Sequence, residues 1–293
     1  MRQDKTNEPT FAIIGLGFIA NKHIKAIQSI GGKILFICDT NQENIDKVFA
    51  AKFYTDWIAM TDDEDFKKVE YVVICTPNNT HFSIATFMVD LGKKVICEKP
   101  IAMDTEELTD LFNGSYNENI NCVYQMRYQP VLVALKREIE NPSIIDPVNP
   151  EQFYNIELKM FVHRDEKYFN SWRGRKEKTG GMLLNLGVHY FDILCWLFGK
   201  PLSSQVHLLG EKMATGEITF IDARVRWHIG INAPVGSESR YLKVNGMELK
   251  LIQEDDNNFI KLYRDILNQR GIKPQDAAEA LNLIFKIYEK GSN

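Results

Sequence analysis

Short runs of consecutive apolar residues, each followed by an amphipathic stretch, organise the first 126 residues. TFAII (10–14), KILFIC (33–38), YVVIC (71–75), KVIC (94–97) and NCVYQ (121–125) have the composition of strands buried on both faces, with a weaker candidate at 53–55. Between them, helical patterns cover 18–30, 41–51, 62–68, 79–91 and 104–116. Such alternation predicts a parallel sheet covered on both faces. Beyond residue 126 the pattern changes. A helical stretch runs to about Glu140, Asn141–Pro150 reads as a proline-rich loop, and 152–163 is strand-like. HRDEKYFNSWRGRKEKTGG (163–181) reads as a loop, and an apolar helix follows from about Gly181 to Phe198, stopped by Gly199 and Pro201. Strands are expected at 205–213, 216–231 and 239–251, and two closing helices at about 256–270 and 275–290.

In the second of those strands Ala223, Val225, Trp227, Ile229 and Ile231 alternate with Arg224, Arg226 and His228, so one face is apolar and the other polar. Asn245-Gly246, between LKV and MELKL, is a two-residue hairpin signal. The chain is therefore expected to be α/β with two domains. Residues 1–126 would form a parallel-sheet domain, and 127–293 an α/β domain with a mainly antiparallel, open-faced sheet.

Composition narrows the function classes. At 293 residues with 44% hydrophobic and 25% charged positions, the chain has the make-up of an ordinary globular protein. A net charge of −4 gives no sign of a general nucleic-acid surface. No uninterrupted apolar run reaches the roughly 18 residues that suggest a membrane span. The polar N-terminus, MRQDKTNEPT, lacks the apolar centre of a signal peptide, so cytoplasmic residence is expected. The five cysteines, Cys38, Cys75, Cys97, Cys122 and Cys195, have neither zinc-ligand nor C-x-x-C spacing, and read as reduced core residues with no metal and no disulfide.

The first strand breaks into GLGFIA, where Gly15, Gly17 and Ala20 occupy the small positions of G-x-G-x-x-G/A. The first permits a tight turn, the second a close approach of backbone to a pyrophosphate, and the third close helix–strand packing. A helix beginning near Phe18 would aim its free N–H groups at the phosphates. Asp39 closes the second strand where a carboxylate would accept hydrogen bonds from an adenosine ribose, and its charge favours NAD over NADP. The competing role for Asp39 is to cap a helix starting near Asn41. Ligands to such a sheet bind at the carboxyl ends of its strands, where Thr76-Pro77-Asn78, Glu98-Lys99-Pro100 and Met126-Arg127-Tyr128 follow in turn. Proline holds Lys99 extended at that edge.

The helix at 181–198 carries Asn185, His189 and Asp192 at spacings of four and three, on one face. A satisfied core histidine partnered by Asp192 would account for this stripe. With an NAD fingerprint and Lys99 the alternative is chemistry. Oxidising a sugar hydroxyl needs a hydride acceptor and a base that takes the O–H proton as the hydride leaves. Histidine suits that exchange near neutral pH. A lysine beside a positively charged nicotinamide could have its pKa lowered and hydrogen-bond the same oxygen. The 163–178 stretch adds Arg164, Lys167, Arg173, Arg175, Lys176 and Lys178 among Tyr168, Phe169 and Trp172. Such cations could hold diphosphate and carboxylate while a ring stacks on a base, although a solvated basic loop has the same composition.

GLGFIANKH, ICTPNNTH, GKKVICEKPIAM and GGMLLNLGVHYFD resemble, in order and over nearly the whole chain, the motifs of the glucose–fructose oxidoreductase and inositol dehydrogenase family (Gfo/Idh/MocA). The resemblance implies a Rossmann domain followed by an α/β domain whose open sheet commonly mediates assembly, here into a homodimer or homotetramer. It implies that Lys99 contacts cofactor and substrate and that His189 is the acid–base candidate. Many members have aspartate where this chain has Asn185, which leaves open which group takes the proton. VYQMRYQP, YFNSWRGRKEKTGGMLLNLGVHYFD and LYRDILNQRGIKPQDA are similar to segments of the branch that acts on nucleotide sugars, the bacterial UDP-N-acetylglucosaminuronate 3-dehydrogenases of surface-polysaccharide (lipopolysaccharide O-antigen) synthesis. That similarity implies a UDP-sugar substrate oxidised at C3 with NAD. Strand ends and resemblance together nominate Gly15, Gly17, Phe18, Ile19, Asp39, Thr76, Pro77, Asn78, His81, Glu98, Lys99 and Gln125 for the cofactor. Lys99, Arg127, Tyr128, Arg164, Tyr168, Trp172, Asn185 and His189 are nominated for the substrate, and Lys99, His189 and Asn185 for catalysis. A polyol dehydrogenase and a non-enzymatic NAD-dependent sensor are the competing classes.

Overall fold

A computed structural model describes residues 8–47, 51–112, 115–141, 153–251 and 255–291. The first half holds β1 (Thr10–Ile14), α1 (Ala20–Ser29), β2 (Lys33–Cys38), β3 (Lys52–Tyr54), α2 (Trp57–Thr61), β4 (Tyr71–Ile74), α3 (His81–Asp90), β5 (Lys94–Cys97), α4 (Thr105–Asp110), α5 (Tyr116–Asn119) and β6 (Ile120–Cys122). The strands form one parallel sheet in the order β3-β2-β1-β4-β5-β6, with the chain reversing direction of travel between β1 and β4. Phe11, Ala12, Ile13 and Ile14 are all essentially inaccessible, as a run without alternation requires.

Helix α6 (Pro130–Glu140) leads into the second half. There follow β7 (Tyr154–Phe161), α7 (Glu166–Asn170), α8 (Lys176–Thr179), α9 (Val188–Phe198), β8 (Ser203–Leu209), β9 (Met213–Thr219), β10 (Ala223–Gly230), β11 (Ser239–Val244), β12 (Met247–Leu249), α10 (Asp256–Leu267) and α11 (Pro274–Lys290). The second sheet runs β12-β11-β7-β10-β9-β8, antiparallel except for β7 against β10. Its apolar face, with Val225, Trp227 and Ile229, lies beneath α9 and α11; Phe191 meets Trp227 edge to face with ring centroids 5.4 Å apart. Its outward face carries Arg224, Arg226 and His228.

Helix α10 returns to the first sheet. Phe259, Leu262, Tyr263 and Ile266 pack with α1 over the face presented by Phe11, Ile13 and Ile37. The opposite face of that sheet, under α3, is continuous with the core of the second sheet.

Several local expectations are corrected. The single strand expected at 216–231 is two, turned at Phe220–Asp222, and the preceding turn lies at Gly210–Lys212 rather than at 214–215. Gly216 lies inside β9, where a Cβ would crowd the Gln205 carbonyl oxygen and come within 2.8 Å of the Trp227 ring, so this glycine marks close packing and not a turn. The stretch expected as a helix at 41–51 is a 3-10 segment, Gln42–Lys47, as far as it is described. That at 62–68 is another, Glu64–Lys68, preceded by the unforeseen α2; Asp56 and Asp63 cap the two. The helix expected at 104–116 is broken into α4 and α5. The loop expected at 163–181 contains α7, started by the Asp165 side chain, a 3-10 turn at Trp172–Gly174, started by Ser171, and α8. The proline-rich stretch 142–150 lies outside the described residues.

The helix expected at 181–198 opens with a π-helical turn, Leu183–Gly187, before α9. Together with α8 this helical run, Lys176–Phe198, has the length and apolar composition of a membrane span, which the search for uninterrupted apolar runs overlooked. Two thirds of its most apolar window is buried against the second sheet and α11, as in a core helix.

Candidate active site

The β1–α1 turn is built for close approach. Gly15 has φ of +90°, and a Cβ there would come within 2.7 Å of the Cys75 carbonyl group, so only glycine fits beside β4. At Gly17 the direction a Cβ would take is open, leaving the backbone accessible. Phe18 is exposed, Ile19 leads into α1, and no side chain caps that helix and no acidic residue enters its first turn. The Asp39 carboxylate accepts from the Leu16 N–H at 2.6 Å and from the Asn41 N–H at 2.8 Å. It thus fixes the glycine turn and the residue before the 3-10 segment, whose first turn is capped instead by the Asn41 side chain accepting from the Glu43 N–H at 3.0 Å. An open glycine turn, uncapped helical N–H groups and a carboxylate at the end of β2 fit a dinucleotide whose second ribose carries free hydroxyls.

The next two strand ends are tied together by His81. Its Nδ1 lies 2.8 Å from the Pro100 carbonyl oxygen and its Nε2 2.9 Å from that of Thr76. Burial lowers its pKa, and a neutral ring donates to one of these oxygens at a time. Thr80 donates to the Pro77 carbonyl, and Asn78 donates across to the Thr179 carbonyl at 3.0 Å, joining the β4 loop to α8. His81 and Asn78, nominated for the cofactor, therefore shape the walls of the cleft. Gln125 is buried with its Oε1 making no hydrogen bond within the protein.

Lys99 follows β5, and its Nζ donates to the Asn185 carbonyl oxygen at 2.8 Å. The Asn185 amide donates to the Tyr168 hydroxyl at 3.2 Å, and the Arg164 guanidinium lies over the Tyr168 ring, 5.1 Å from its centroid. Four nominated residues from three separate segments thus form one array. Gly180 and Gly181, with φ of +73° and +87°, turn the chain from α8 into the π turn that presents Asn185. His189, one turn further on, meets the Tyr124 ring edge-on, and its Nδ1 has no hydrogen-bond partner within the protein.

Burial lowers the Lys99 pKa while the neighbouring Glu98 carboxylate pulls it back up. Burial, reinforced by the Lys99 charge and opposed by Glu98, brings His189 down to about 3. His189 is therefore neutral across the physiological range.

Asp192 does not partner His189. Its carboxylate takes Arg127 in a buried two-point pair, Nε to Oδ2 at 2.9 Å and Nη2 to Oδ1 at 2.6 Å, and Arg127 also donates to the Asp276 carbonyl. Arg127, nominated for substrate, thereby fastens the segment after β6 to α9 and to the start of α11. The Tyr128 hydroxyl is taken by Asp265 of α10. Trp172 carries the Arg173 guanidinium over its ring, 5.6 Å from the centroid. Among the described residues no cluster of histidine, cysteine and carboxylate could hold a metal, and all five cysteines are buried thiols.

Three residues were missed. Arg240 of β11 adds its charge beside Arg164 and Arg173. His23 and Tyr263 stand behind Glu98, fully buried. A polar face on β11 gave no local signal for the first. His23 lay within a quoted motif, and only the packing of α10 brings Tyr263 to it.

Comparison with known proteins follows the same division. Residues 10–123 match the oxidoreductase family model for an NAD-binding Rossmann fold, and residues 152–272 match that family's C-terminal alpha/beta domain. The chain superposes on the WlbA (WbpB) dehydrogenase from Thermus thermophilus in complex with NAD and UDP-GlcNAcA, with a TM-score of 0.83 and 28% identity, covering 94% of each chain. Superposition on the same dehydrogenase with NAD and alpha-ketoglutarate gives 0.83 at 29% identity, covering 93% of this chain and 92% of the other. Among curated sequences, inositol 2-dehydrogenase 1 of Saccharopolyspora erythraea is 26% identical over 200 residues, 65% of this chain and 54% of that protein. The chain thus spans about half the length of the curated relatives it matches.

Proposed function

The chain belongs to the Gfo/Idh/MocA oxidoreductase family, and from that premise we propose that it oxidises the C3 hydroxyl of a UDP-N-acetylglucosaminuronate-type sugar, with NAD as hydride acceptor. The observation that carries this reading is the array Lys99–Asn185–Tyr168–Arg164 at the carboxyl ends of the first sheet. Arg164 is half-buried, its Nε lacks a partner within the protein, and Arg173 and Arg240 add like charge beside it. Partly desolvated, like-charged guanidinium groups are stabilised by an anion. A diphosphate or carboxylate meets that need, and an uncharged polyol does not. The likeness to a dehydrogenase crystallised with UDP-GlcNAcA supports the same substrate class.

NAD would be held by the Gly15–Gly17 turn, the start of α1 and Asp39, and supplies the hydride acceptor when bound. The remaining chemistry falls to side chains of this chain. An alcohol is too weak an acid to ionise first, so a base must take its proton as the hydride leaves. We assign that role to Lys99, whose burial lowers its proton affinity and so favours the neutral amine a base requires. His189, neutral and with Nδ1 unpaired, would orient the hydroxyl. Tyr168 and Asn185 would position the sugar ring, and Arg164 would bind its anionic part. In this reading the enzyme is cytoplasmic, serves surface-polysaccharide synthesis, and assembles into a dimer or tetramer through the outward face of the second sheet.

The test is a melting and turnover comparison of UDP-GlcNAcA with myo-inositol and glucose 6-phosphate, each with NAD. UDP-GlcNAcA should raise the melting temperature and reduce NAD. Turnover of inositol with no response to any UDP-sugar would overturn the substrate assignment. Loss of turnover in His189→Asn with Lys99→Met still active would transfer the base to the histidine.

A further inference from the structure

Glu98 lies between the proposed reacting groups and a second, deeper set of polar side chains. One carboxylate oxygen, Oε1, is 3.1 Å from His23 Nε2 of α1, and the other accepts from the Lys99 main-chain N–H at 3.3 Å. The far side of the imidazole, Nδ1, is 2.7 Å from the Tyr263 hydroxyl of α10. His23 and Tyr263 have no accessible surface, and Glu98 has 7%. Phe259 closes the imidazole edge at a ring separation of 5.2 Å. With the Nε2–H tautomer every polar atom in the line is satisfied: Tyr263 donates to Nδ1, and Nε2–H donates to the carboxylate. Such a file has a directional consequence, because it supplies the buried carboxylate with a hydrogen-bond donor that only its charged form uses fully.

We infer that His23 and Tyr263 are positioning residues that hold Glu98 ionised, and that Glu98 in turn sets the proton affinity of Lys99. The inference deepens the proposed function and rests on its assignment of Lys99.

The other ionisable groups facing Glu98 leave it little else to respond to. Burial keeps the Cys75 and Cys97 thiols and the Tyr263 phenol well above their ordinary pKa values, so all three are neutral. Burial likewise keeps His81 and His189 neutral. Against the desolvation that would protonate it, the Glu98 carboxyl is held below its usual range, foremost by the hydrogen bond from His23 and then by the Lys99 charge. Lys99 is the neighbour whose charge answers to Glu98 in this reading: burial lowers its proton affinity, and the Glu98 carboxylate raises it again. Removing the Glu98 charge must lower the Lys99 pKa, because the opposing negative charge goes while the burial stays. The acidic limb of kcat/KM, where the base becomes protonated, should then move to lower pH.

Two readouts test this, one of which needs no substrate. Difference infrared spectroscopy of the folded, ligand-free proteins should show a protonated-carboxyl band near neutral pH in His23→Leu. That band should be missing from the unaltered protein and from His23→Leu/Glu98→Gln. In turnover with NAD and UDP-GlcNAcA, His23→Leu and Glu98→Gln should each shift the acidic limb down by about one pH unit. The double variant should shift it no further than Glu98→Gln alone. His23→Gln, which retains an N–H donor, should restore both readouts toward the unaltered protein. Melting curves establish that each variant is folded. If His23→Leu does not fold, Tyr263→Phe, which loses only a hydroxyl, should shift the limb in the same direction by a smaller amount. A folded His23→Leu protein without the carboxyl band, or with an unmoved acidic limb, overturns the inference. Failure of UDP-GlcNAcA to turn over would overturn the substrate reading instead, and the infrared comparison would still decide the state of Glu98.

Discussion

The two walls of the cleft are built by different means. On the first-sheet wall, position follows from the main chain: Gly15 has room for no side chain, Gly17 leaves its backbone open, and Asp39 is anchored by two N–H groups. On the opposite wall, position follows from side chains that reach across the fold. Lys99 finds Asn185, Asn185 finds Tyr168, and Arg127 clamps Asp192 to hold α9 in place. The first wall suits a ligand common to many enzymes, whose phosphates are recognised by backbone. The second suits a ligand particular to a few, since a change of one side chain alters its chemistry without disturbing the sheet.

The largest effect should come where the walls meet. Lys99→Met should lower turnover by roughly two to four orders of magnitude, the usual size of a general-base contribution, and should also weaken substrate binding. NAD binding, measured by fluorescence titration, should change far less. If NAD binding fell as steeply as turnover, the two walls would not be separable functions.

Arg127→Met should cost roughly 3–5 kcal/mol of stability, because it strands the Asp192 carboxylate in the core. Replacing both members, Arg127→Met with Asp192→Leu, should recover much of that loss in denaturant melts. If Arg127 instead bound substrate, the single variant would melt normally and show a raised KM.

How far each wall was legible in the sequence follows from the same contrast. The parallel strands Thr10–Ile14, Lys33–Cys38 and Lys94–Cys97 fall where their apolar runs lie, since a short apolar run bounded by turn residues marks a strand buried on both faces. The glycine turn and Asp39 were visible because backbone recognition needs particular residues at particular spacings. The 163–181 segment was read as loop because α7, the 3-10 turn and α8 are each too short to show a period, although Asp165 and Ser171 carried capping signals. Asp192 was placed beside His189 by spacing alone. Its true partner, Arg127, is 65 residues away, a distance that helical periodicity cannot report. Tyr263 is further still from His23, 240 residues along the chain.

Asp39→Ala probes the first wall alone. Loss of a carboxylate that would repel a 2′-phosphate should bring NADP binding closer to that of NAD by about tenfold, on the order of 1.4 kcal/mol. The Leu16 N–H also loses its acceptor, so NAD itself should bind somewhat less tightly. Equal binding of the two cofactors by the unaltered protein would remove Asp39 from cofactor selection and leave it only its contacts to Leu16 and Asn41.

The smallest change tests the second wall without removing any contact. Asn185→Asp keeps the link to Tyr168, with the hydroxyl now donating to the carboxylate, and leaves the Asn185 main-chain carbonyl that receives Lys99 in place. What it adds is a negative charge close to Lys99 and His189. An added negative charge favours the protonated form of both, so both pKa values rise. Burial holds His189 near 3, so a rise of about one unit still leaves it neutral at pH 7 and invisible in the profile. Lys99 is different, because it is the base in this reading, and a rise in its pKa moves the pH below which that base is protonated. The acidic limb of kcat/KM should therefore move to higher pH by about one unit, the opposite direction to Glu98→Gln. The plateau at high pH should be little changed, since the base is deprotonated there in either protein. A limb that stays in place while Lys99→Met abolishes turnover would mean that the group titrating in the free enzyme is not Lys99, and the lysine would keep only its role in orienting the hydroxyl.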